Sequence, residues 1–384
     1  MTHHFGLILI LSVGLSLQMA ATGSEIDSFS TRYQLTEDVT ANLNAITNQQ
    51  LALAAERANK ALYKRNKRRQ SFNLPSQSCD DHLFYKQMVR LLVKAPINPL
   101  ETYIHNHPQM IAQSQRDRKA TIYSEFTFYE TPALGILPKI GATVKIGDLV
   151  IGTDKFGHFL TEGWVYFKHI HRTAKSDEVL EDTDTDPAEQ SHSVTTDPNL
   201  EPITWIIEHG DWLEKYPYGA LTTGVYSHAD LVANLNGLHF WQQLLATDAS
   251  KLPGMPVLGP YFVCQNQQWV QIKHFDWLEY VDAAWDEGIN CNRFRNADIE
   301  AKVQTKISQL EHQMGRSLSC PLAHPDPVVL QQKYKMFYPW IVNLKGNKTL
   351  KHDANTPTQH ATTKHCAASY NKHKSGFRAC TKSS

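Results

Sequence analysis

The sequence predicts a mainly α-helical fold, with a helical, bundle-like core and a minor β-hairpin or extended pair. Apolar residues recur at helical spacing in several long segments, whereas one short segment carries β-branched residues on both sides of a turn. Of the 384 residues, 41% are hydrophobic and 10% are aromatic. The chain can therefore bury a sizeable core, which excludes an acidic disordered protein.

The N-terminal segment is typical of a secretory signal peptide. Residues 5–17 form an almost unbroken apolar run of thirteen residues, which small residues follow. A transmembrane helix needs about 20 apolar residues, so the run is short for an uncleaved membrane anchor, which is the alternative. We expect residues 1–23 to be a signal peptide and the protein to be exported, soluble, and either periplasmic or secreted.

An N-terminal helical arm is predicted over residues 24–75. Within it, apolar residues at near-helical spacing predict one long helix from about 39 to 69. Seven Lys and Arg residues lie between 57 and 69, a run typical of a solvated helix end or of a contact with an anionic surface. We expect residues 57–69 and 343–384 to contact an anionic membrane or envelope component.

A helical core domain is predicted over residues 76–342. Its helices are expected over residues 81–94, 200–216, 227–246, 274–287 and 297–314, and a hairpin, the only β content predicted, over residues 143–151. The helix over 274–287 carries spaced carboxylates, ends before Gly288 and is interpreted as structural. Residues 176–201 contain nine acidic residues and no Lys or Arg, so we expect a flexible acidic insertion there.

Charge and cysteine content bound the partners and the compartment. Residues 343–384 carry eight Lys and Arg against one Asp and lack apolar periodicity, which predicts a disordered basic tail. The whole chain has 38 basic and 38 acidic residues, so no nucleic-acid partner is expected. Six cysteines in an exported protein permit disulfides in fifteen connectivities, with buried free thiols as the alternative.

The first motif that can carry chemistry begins at Asp154. Asp154, His158 and Glu162 follow one another at four-residue spacing, and Lys155 stands beside the first of them. On a helix, this spacing places the three side chains along one stripe. An imidazole between two carboxylates suits general acid–base catalysis or metal binding.

A second motif lies on the helix predicted over residues 200–216. Glu208 and Asp211 are three residues apart and stand among tryptophan and isoleucine residues. Carboxylates beside aromatic side chains are candidates for a raised pKa or for metal ligation. The alternative is that both carboxylates face solvent, opposite the aromatic side chains.

The third motif combines a helix start with a polar stripe. Ser227 followed by Asp230 has the layout of an N-terminal capping box. Asn234 and Gly237 continue the stripe of Asp230 between leucine residues, which predicts buried polar groups that need partners. Gly237 is expected to let a neighbouring helix approach closely.

The order and spacing of these motifs resemble the pattern of VanZ-like proteins. They resemble more closely a related, uncharacterised family of bacterial periplasmic proteins. The resemblance covers about residues 150–245, and its matching positions are Asp154, Lys155, His158, Glu208, Asp211, Ser227, Asp230, Ala233, Asn234 and Gly237. VanZ-like proteins are helical membrane proteins linked to glycopeptide-antibiotic tolerance, so the resemblance implies a helical, cell-envelope setting and no catalytic mechanism.

These observations leave three hypotheses about function. The first is an exported, envelope-associated helical protein in which the motif residues form a buried polar network, acting as a structural or ligand-binding centre. The second is a hydrolase acting on an envelope component, with or without a divalent metal ion, in which His158 is the base or a metal ligand and Lys155 neutralises the substrate. The third is a secreted interaction protein that binds through its basic segments. The expected site residues are His158, Asp154, Lys155, Glu208 and Asp230, supported by Glu162, Asp211, Ser227 and Asn234.

Overall fold

The computed structural model of the chain describes residues 25–34, 37–93, 99–107, 110, 117–180, 200–246, 252, 255–346 and 349–350. The predicted signal peptide, the stretch 181–199 of the predicted acidic insertion and the predicted tail beyond 350 lie outside the described residues. Cys366 and Cys380 lie outside them as well.

The fold is mainly α-helical with short antiparallel strand pairs, as the sequence predicts. The helices are α1 (Thr40–Gln70), α2 (Asp81–Leu92), α3 (Pro99–His105), α4 (Asp154–Gly157), α5 (Gly163–Leu180), α6 (Leu200–Lys215), α7 (His228–Gln243), α8 (Ala297–Met314), α9 (Pro327–Tyr334) and α10 (Tyr338–Ile341). The strands are β1 (Thr143–Ile146), β2 (Leu149–Gly152), β3 (Val225–Tyr226), β4 (Phe262–Gln265), β5 (Gln268–Gln271) and β6 (Arg293–Phe294). A π-helical turn, His158–Glu162, joins α4 to α5.

Helix α7 is the centre of the core, because all of its residues are buried. It packs against α5 and against the π-helical turn that precedes α5. Gly237 lies at this crossing, where a Cβ atom would stand 1.9 Å from the carbonyl oxygen of Phe159. The close approach predicted for Gly237 is therefore confirmed, and it brings the third motif against the first.

Helix α1 is the long N-terminal helix that the periodicity predicts. Its buried face packs against α2 and β5. The Asn59 side chain holds β5 directly, since it accepts from the N–H of Trp269 at 2.8 Å and donates to the carbonyl oxygen of Trp269 at 2.9 Å. The disulfide between Cys79 and Cys264 joins the segment before α2 to β4.

In the described residues, disulfides join Cys79 to Cys264 and Cys291 to Cys320. These bonds select two pairs from the connectivities that the sequence leaves open. None of the described helices combines the length and the apolar character that a membrane span requires.

Hairpins account for most of the strand content. β1 pairs with β2 across a turn at Gly147, whose φ is 57°, so the predicted hairpin over residues 143–151 is confirmed. β4 pairs with β5 across Asn266 and Gln267, which both have positive φ. The prediction of a single β segment is therefore wrong. Positive φ at both central residues indicates a type I′ turn, which Asn-Gly signals more strongly than the Asn-Gln found here.

The segment over residues 274–287, predicted as a helix, is not one. It forms separate 3₁₀ turns at Trp277–Glu279 and Ala283–Trp285. Asp276 and Asp282 accept hydrogen bonds from N–H groups two residues ahead, at 3.1 and 2.8 Å. These side chains start each short turn and compete with a continuous helix. The second turn packs against α7.

Contacts with the core continue past residue 343. Asn343 is buried, and its N–H donates to the Asn290 side chain at 2.7 Å. Further along, the N–H of Leu350 donates to the carbonyl oxygen of Phe294 at 2.9 Å. The chain is thus anchored to β6 at residue 350.

Candidate functional site

The side chain of Lys155 is fully buried and surrounded by carboxylates. Its Nζ atom lies 2.9 Å from Asp154 Oδ2, 2.5 Å from Asp230 Oδ1 and 2.5 Å from Glu287 Oε1. An ammonium group has three N–H donors, so each can meet one carboxylate. We call these four residues the lysine cluster.

Three separate stretches of the chain build the lysine cluster. The β1–β2 hairpin leads directly into α4, which begins with Asp154 and Lys155. Asp230 lies in the first turn of α7, and Glu287 closely follows the 3₁₀ turn that packs against α7. The cluster therefore forms only when all three stretches have come together.

The charges of the lysine cluster stabilise one another against burial. Burial alone would lower the pKa of Lys155, but the three carboxylates outweigh it and hold that pKa well above its usual value. Burial also opposes ionisation of Asp230, yet His158 and Lys155 hold its pKa well below the usual range. Burial raises the pKa of Glu287 to about 7, although Lys155 opposes this rise. Lys155 and Asp230 are therefore charged at neutral pH.

His158 stands at the start of the π-helical turn and contacts the lysine cluster. Its Nε2 atom lies 3.0 Å from Asp230 Oδ2, and its Nδ1 atom lies 3.0 Å from Asn234 Oδ1. Burial would lower the pKa of His158, but Asp230 raises it to about 10. Single π-helical turns within α-helices occur often at functional sites.

The π-helical turn changes the side-chain stripe that the sequence predicts. A π turn contains more residues than an α turn, so Asp154, His158 and Glu162 do not follow a regular α-helical stripe. Glu162, at the far end of the turn, is half-buried, and burial raises its pKa. The prediction that the three side chains form one stripe is therefore wrong. Asp154 nevertheless contacts Lys155, and His158 contacts Asp230, so both meet the lysine cluster.

The helix start at Ser227 departs from the capping box that the sequence predicts. Ser227 Oγ accepts from the N–H of Asp230 at 3.2 Å, as a capping residue does. The reciprocal bond comes from another helix, because the N–H of Ser227 donates to Glu214 Oε2 at 3.1 Å. The Asp230 carboxylate instead contacts Lys155 and His158.

Glu214 is a further carboxylate beside His158. It lies at the end of α6 and is only 1% exposed. One possible ligand atom each from His158, Glu214 and Asp230 lies within 4.8 Å of the others, and we call these residues the histidine group. Among the described residues, Glu214 Oε1 has no hydrogen-bond partner. Burial, and then the charge of Asp230, raises the pKa of Glu214 well above its usual value.

Another ion pair lies beside the lysine cluster. Arg32 donates to both carboxylate oxygens of Asp286, at 2.8 and 2.7 Å. The same carboxylate accepts from the N–H groups of Val150 and Gly288. This pair ties the N-terminal segment to β2 and to the loop that carries Glu287.

The structure brings together most of the predicted site residues. The contacts described above join Asp154, Lys155, His158, Ser227, Asp230 and Asn234. Glu208 is exposed on α6. Asp211 forms an ion pair with Lys215 at 2.8 Å and accepts from the Tyr226 hydroxyl at 3.0 Å. These two carboxylates therefore lie outside the lysine cluster.

The sequence motifs do not include Glu214 and Glu287, which belong to the site, or Glu25, whose charge interacts with Glu287. Glu287 follows a segment dense in aromatic residues, which was a usable signal for burial. Glu214 lies six residues after Glu208, a spacing that a three- or four-residue pattern does not detect. Glu25 is 9% exposed, and burial, followed by the charge of Glu287, raises its pKa well above the usual value. No local pattern marks Glu25.

The four residues of the lysine cluster are all buried in the described part of the chain. Asp154, Lys155 and Glu287 are 6%, 0% and 1% exposed. The side chains of His158 and Asp230 reach solvent slightly, at 10% and 11%. A nearby cavity, lined mainly by apolar side chains of α5, α6, α7, β3 and residues 337–341, has a volume of about 20 Å³, which is room for about one water molecule. No residue of the lysine cluster lines this cavity.

The chain matches no protein-family model, no curated protein and no solved structure. The resemblance to VanZ-like proteins therefore stays a prediction. The features of the structure that bear on function are the lysine cluster and the histidine group, which meet at Asp230.

Proposed function

We propose that the protein is an exported, cell-envelope-associated helical protein in which the lysine cluster is a structural centre. The observation that carries the proposal is the position of Lys155 Nζ, within 2.9 Å of three carboxylates from three stretches of the chain. Removing one partner from such a buried group leaves an uncompensated charge. The cluster therefore favours one arrangement of the β1–β2 hairpin, α7 and the loop before β6.

The disulfides and the N-terminal sequence support export. Disulfides persist in oxidising compartments and are rare in the cytosol. The described residues contain disulfides between distant parts of the chain, including Cys79–Cys264. The apolar run over residues 5–17 is typical of a secretory signal peptide.

Replacement of Lys155 by methionine tests the structural proposal. Lys155→Met removes the charge but keeps a long side chain, so three buried carboxylates lose their shared cation. We expect the free energy of unfolding, measured by urea denaturation, to fall by about 3–5 kcal/mol. The matched control is Lys145→Met, because Lys145 pairs at 3.6 Å with a fully exposed Asp148. Equal effects in the two variants would overturn the proposal.

A hydrolase is the second candidate function, and the surroundings of His158 favour it. Asp230 and Asn234 hold opposite sides of the ring and fix its orientation. With a pKa of about 10 the ring is protonated at neutral pH, so it must lose that proton before it can act as a base. The His158 side chain is also 10% exposed at the edge of the network. The closed burial of the other groups gives more support to the structural proposal.

Turnover of a model carboxylic ester and a model phosphodiester tests the hydrolase proposal. We expect hydrolysis by the purified protein and its loss in His158→Gln, with circular dichroism showing that the variant is folded. Hydrolysis that persists in the folded variant, or no hydrolysis by the original protein, counts against this function.

Anionic surfaces are the proposed partners of the basic end of α1. Tyr63 lies among its basic residues and Phe72 follows them, and these residues are 68% and 66% exposed. Basic side chains attract anionic headgroups, and aromatic rings favour the membrane interface. Sedimentation with phosphatidylglycerol vesicles at low salt should weaken when Lys64, Lys67 and Arg68 are replaced by Gln. Unchanged sedimentation, or equal sedimentation with phosphatidylcholine vesicles, contradicts the proposal.

A further inference from the structure

The lysine cluster and the histidine group share Asp230 but differ in their cations. In the lysine cluster, Lys155 Nζ lies within 2.9 Å of all three carboxylates. In the histidine group, no Lys or Arg of the described residues forms an ion pair with Glu214. We propose that the histidine group binds a divalent metal ion through His158 Nε2, Asp230 Oδ2 and Glu214 Oε1.

Each proposed ligand is held in place through its other polar atom. Asn234 Oδ1 lies 3.0 Å from His158 Nδ1, so the ring donates through Nδ1, and Nε2 is the nitrogen that faces Asp230 Oδ2. The N–H of Ser227 holds Glu214 Oε2 at 3.1 Å, which leaves Oε1. The ammonium of the lysine cluster holds Asp230 Oδ1 at 2.5 Å. Such outer partners orient the ligands in metal sites.

Glu214 supplies an independent indication of a ligand. Its side chain is 1% exposed, yet Oε1 has no hydrogen-bond partner among the described residues. A buried carboxylate oxygen costs free energy unless it is paired. An ion between Glu214 and the His158–Asp230 pair would satisfy this oxygen.

The distances and donor types suit a zinc-like ion. Ligand atoms of the histidine group lie within 4.8 Å of one another. Metal bonds of about 2.0–2.2 Å place two ligands of a tetrahedral ion about 3.3–3.6 Å apart, so the ligand atoms must move inward by up to about 1.5 Å to complete the site. One imidazole nitrogen and two carboxylate oxygens are donors that Zn²⁺ accepts.

The proposed ion shares Asp230 with the lysine cluster and binds the carboxylate oxygen that Lys155 does not hold, Oδ2. On binding, it displaces the proton by which His158 Nε2 bonds to Asp230 Oδ2, and this proton is released to solvent. The side chains of His158 and Asp230 are 10% and 11% exposed, so these two ligands lie at the edge of the buried region. A bound water activated there would supply a nucleophile, and this last step alone rests on the proposed hydrolase function.

Metal titration of the purified, disulfide-bonded protein tests the proposal. After treatment with EDTA and removal of the chelator, Zn²⁺ is titrated by calorimetry into the original protein, Glu214→Gln and Glu208→Gln. Glu208 is the matched control, because it is exposed on the same helix. We expect one site that the control keeps and that Glu214→Gln weakens by at least about tenfold.

The alternative outcomes separate this proposal from the structural one. Absence of Zn²⁺ binding, or equal binding by the original protein and Glu214→Gln, would show adventitious binding at most and would overturn the metal site. His158→Gln is the second variant if Glu214→Gln does not fold, and it should lose the visible absorption bands of bound Co²⁺. The stability of Lys155→Met in EDTA reports on the structural centre alone, so either proposal can fail without the other.

Discussion

Lys155 and Lys215 each lie beside an aspartate at nearly the same distance, one in the core and one at the surface. Lys155 Nζ is 2.9 Å from Asp154, and Lys215 Nζ is 2.8 Å from Asp211. The Lys155 side chain is 0% exposed, whereas that of Lys215 is 39% exposed. Water and salt screen the surface pair, but the buried ammonium has exchanged water for carboxylates. The distance between two charges therefore does not decide how much stability is lost when one of them is removed. The burial of the charge that remains decides it.

The largest effect on stability is expected from the removal of Asp230, which belongs to the buried ion pairs. Asp230→Ala takes a carboxylate from both Lys155 and His158 and leaves their charges buried. We expect the free energy of unfolding to fall by about 3–5 kcal/mol in urea denaturation. The control is Asp148→Ala, which removes a fully exposed partner of Lys145. A comparable loss in the control would remove the distinction between core and surface.

A pH titration of stability should show a smaller effect of the same buried charges. Against the effect of burial, Asp230 raises the pKa of His158 to about 10, compared with about 6.5 in an unfolded chain. The folded protein keeps a proton that the unfolded chain loses, so this stabilisation is complete below about pH 6.5 and is lost as pH rises towards 10. Between pH 6.5 and 8, urea denaturation in EDTA should show a loss of about 1–2 kcal/mol.

The variant His158→Gln is the control for this pH dependence. Glutamine does not titrate, so the variant should have a flatter stability profile above pH 7. The acidic groups that raise the pKa of His158 are Asp230, Glu214 and Asp154. The raised pKa of Glu287, about 7, acts in the same direction at lower pH, because its folded form also retains a proton. If the stability of the original protein increased from pH 6.5 to 8, the raised pKa of His158 would be refuted.

The smallest effect is expected on the surface side, from Lys215→Met. Lys215 and Asp211 are four residues apart on α6, and their side chains are 39% and 33% exposed. Pairs of this kind contribute about 0.3–0.5 kcal/mol. Urea denaturation should therefore show a loss of at most about 0.5 kcal/mol, and added salt should remove it. A loss close to that of Asp230→Ala would mean that exposure does not set the difference.

The sequence predicted helices correctly where the helical spacing of its residues was not opposed by local side-chain hydrogen bonds to the backbone. The pattern from 39 to 69 closely matches α1, and Ser227 caps α7 as its hydroxyl suggests. The segment over residues 274–287 has helical spacing of its carboxylates as well. There, Asp276 and Asp282 bond the backbone just ahead of them, so local side-chain bonds override the spacing.

The candidate site was predictable in its motif residues but not in its distant partners. Asp154, His158 and Asp230 stand out because polar groups interrupt apolar helical stretches. Glu287 joins them only because a 3₁₀ turn packs against α7, and Glu214 because the end of α6 meets the N–H of Ser227. These contacts depend on tertiary packing, which local spacing does not encode.

A double-mutant cycle between Lys155 and Asp230 tests most directly the central claim that the lysine cluster is one buried electrostatic unit. Lys155→Met and Asp230→Asn each leave an unbalanced charge in the core, whereas the double variant removes one charge of each sign. Urea denaturation of the four proteins at neutral pH gives the coupling free energy. We predict that the double variant loses less stability than the sum of the single losses, by at least about 2 kcal/mol. Single losses that add to within about 0.5 kcal/mol would contradict the claim.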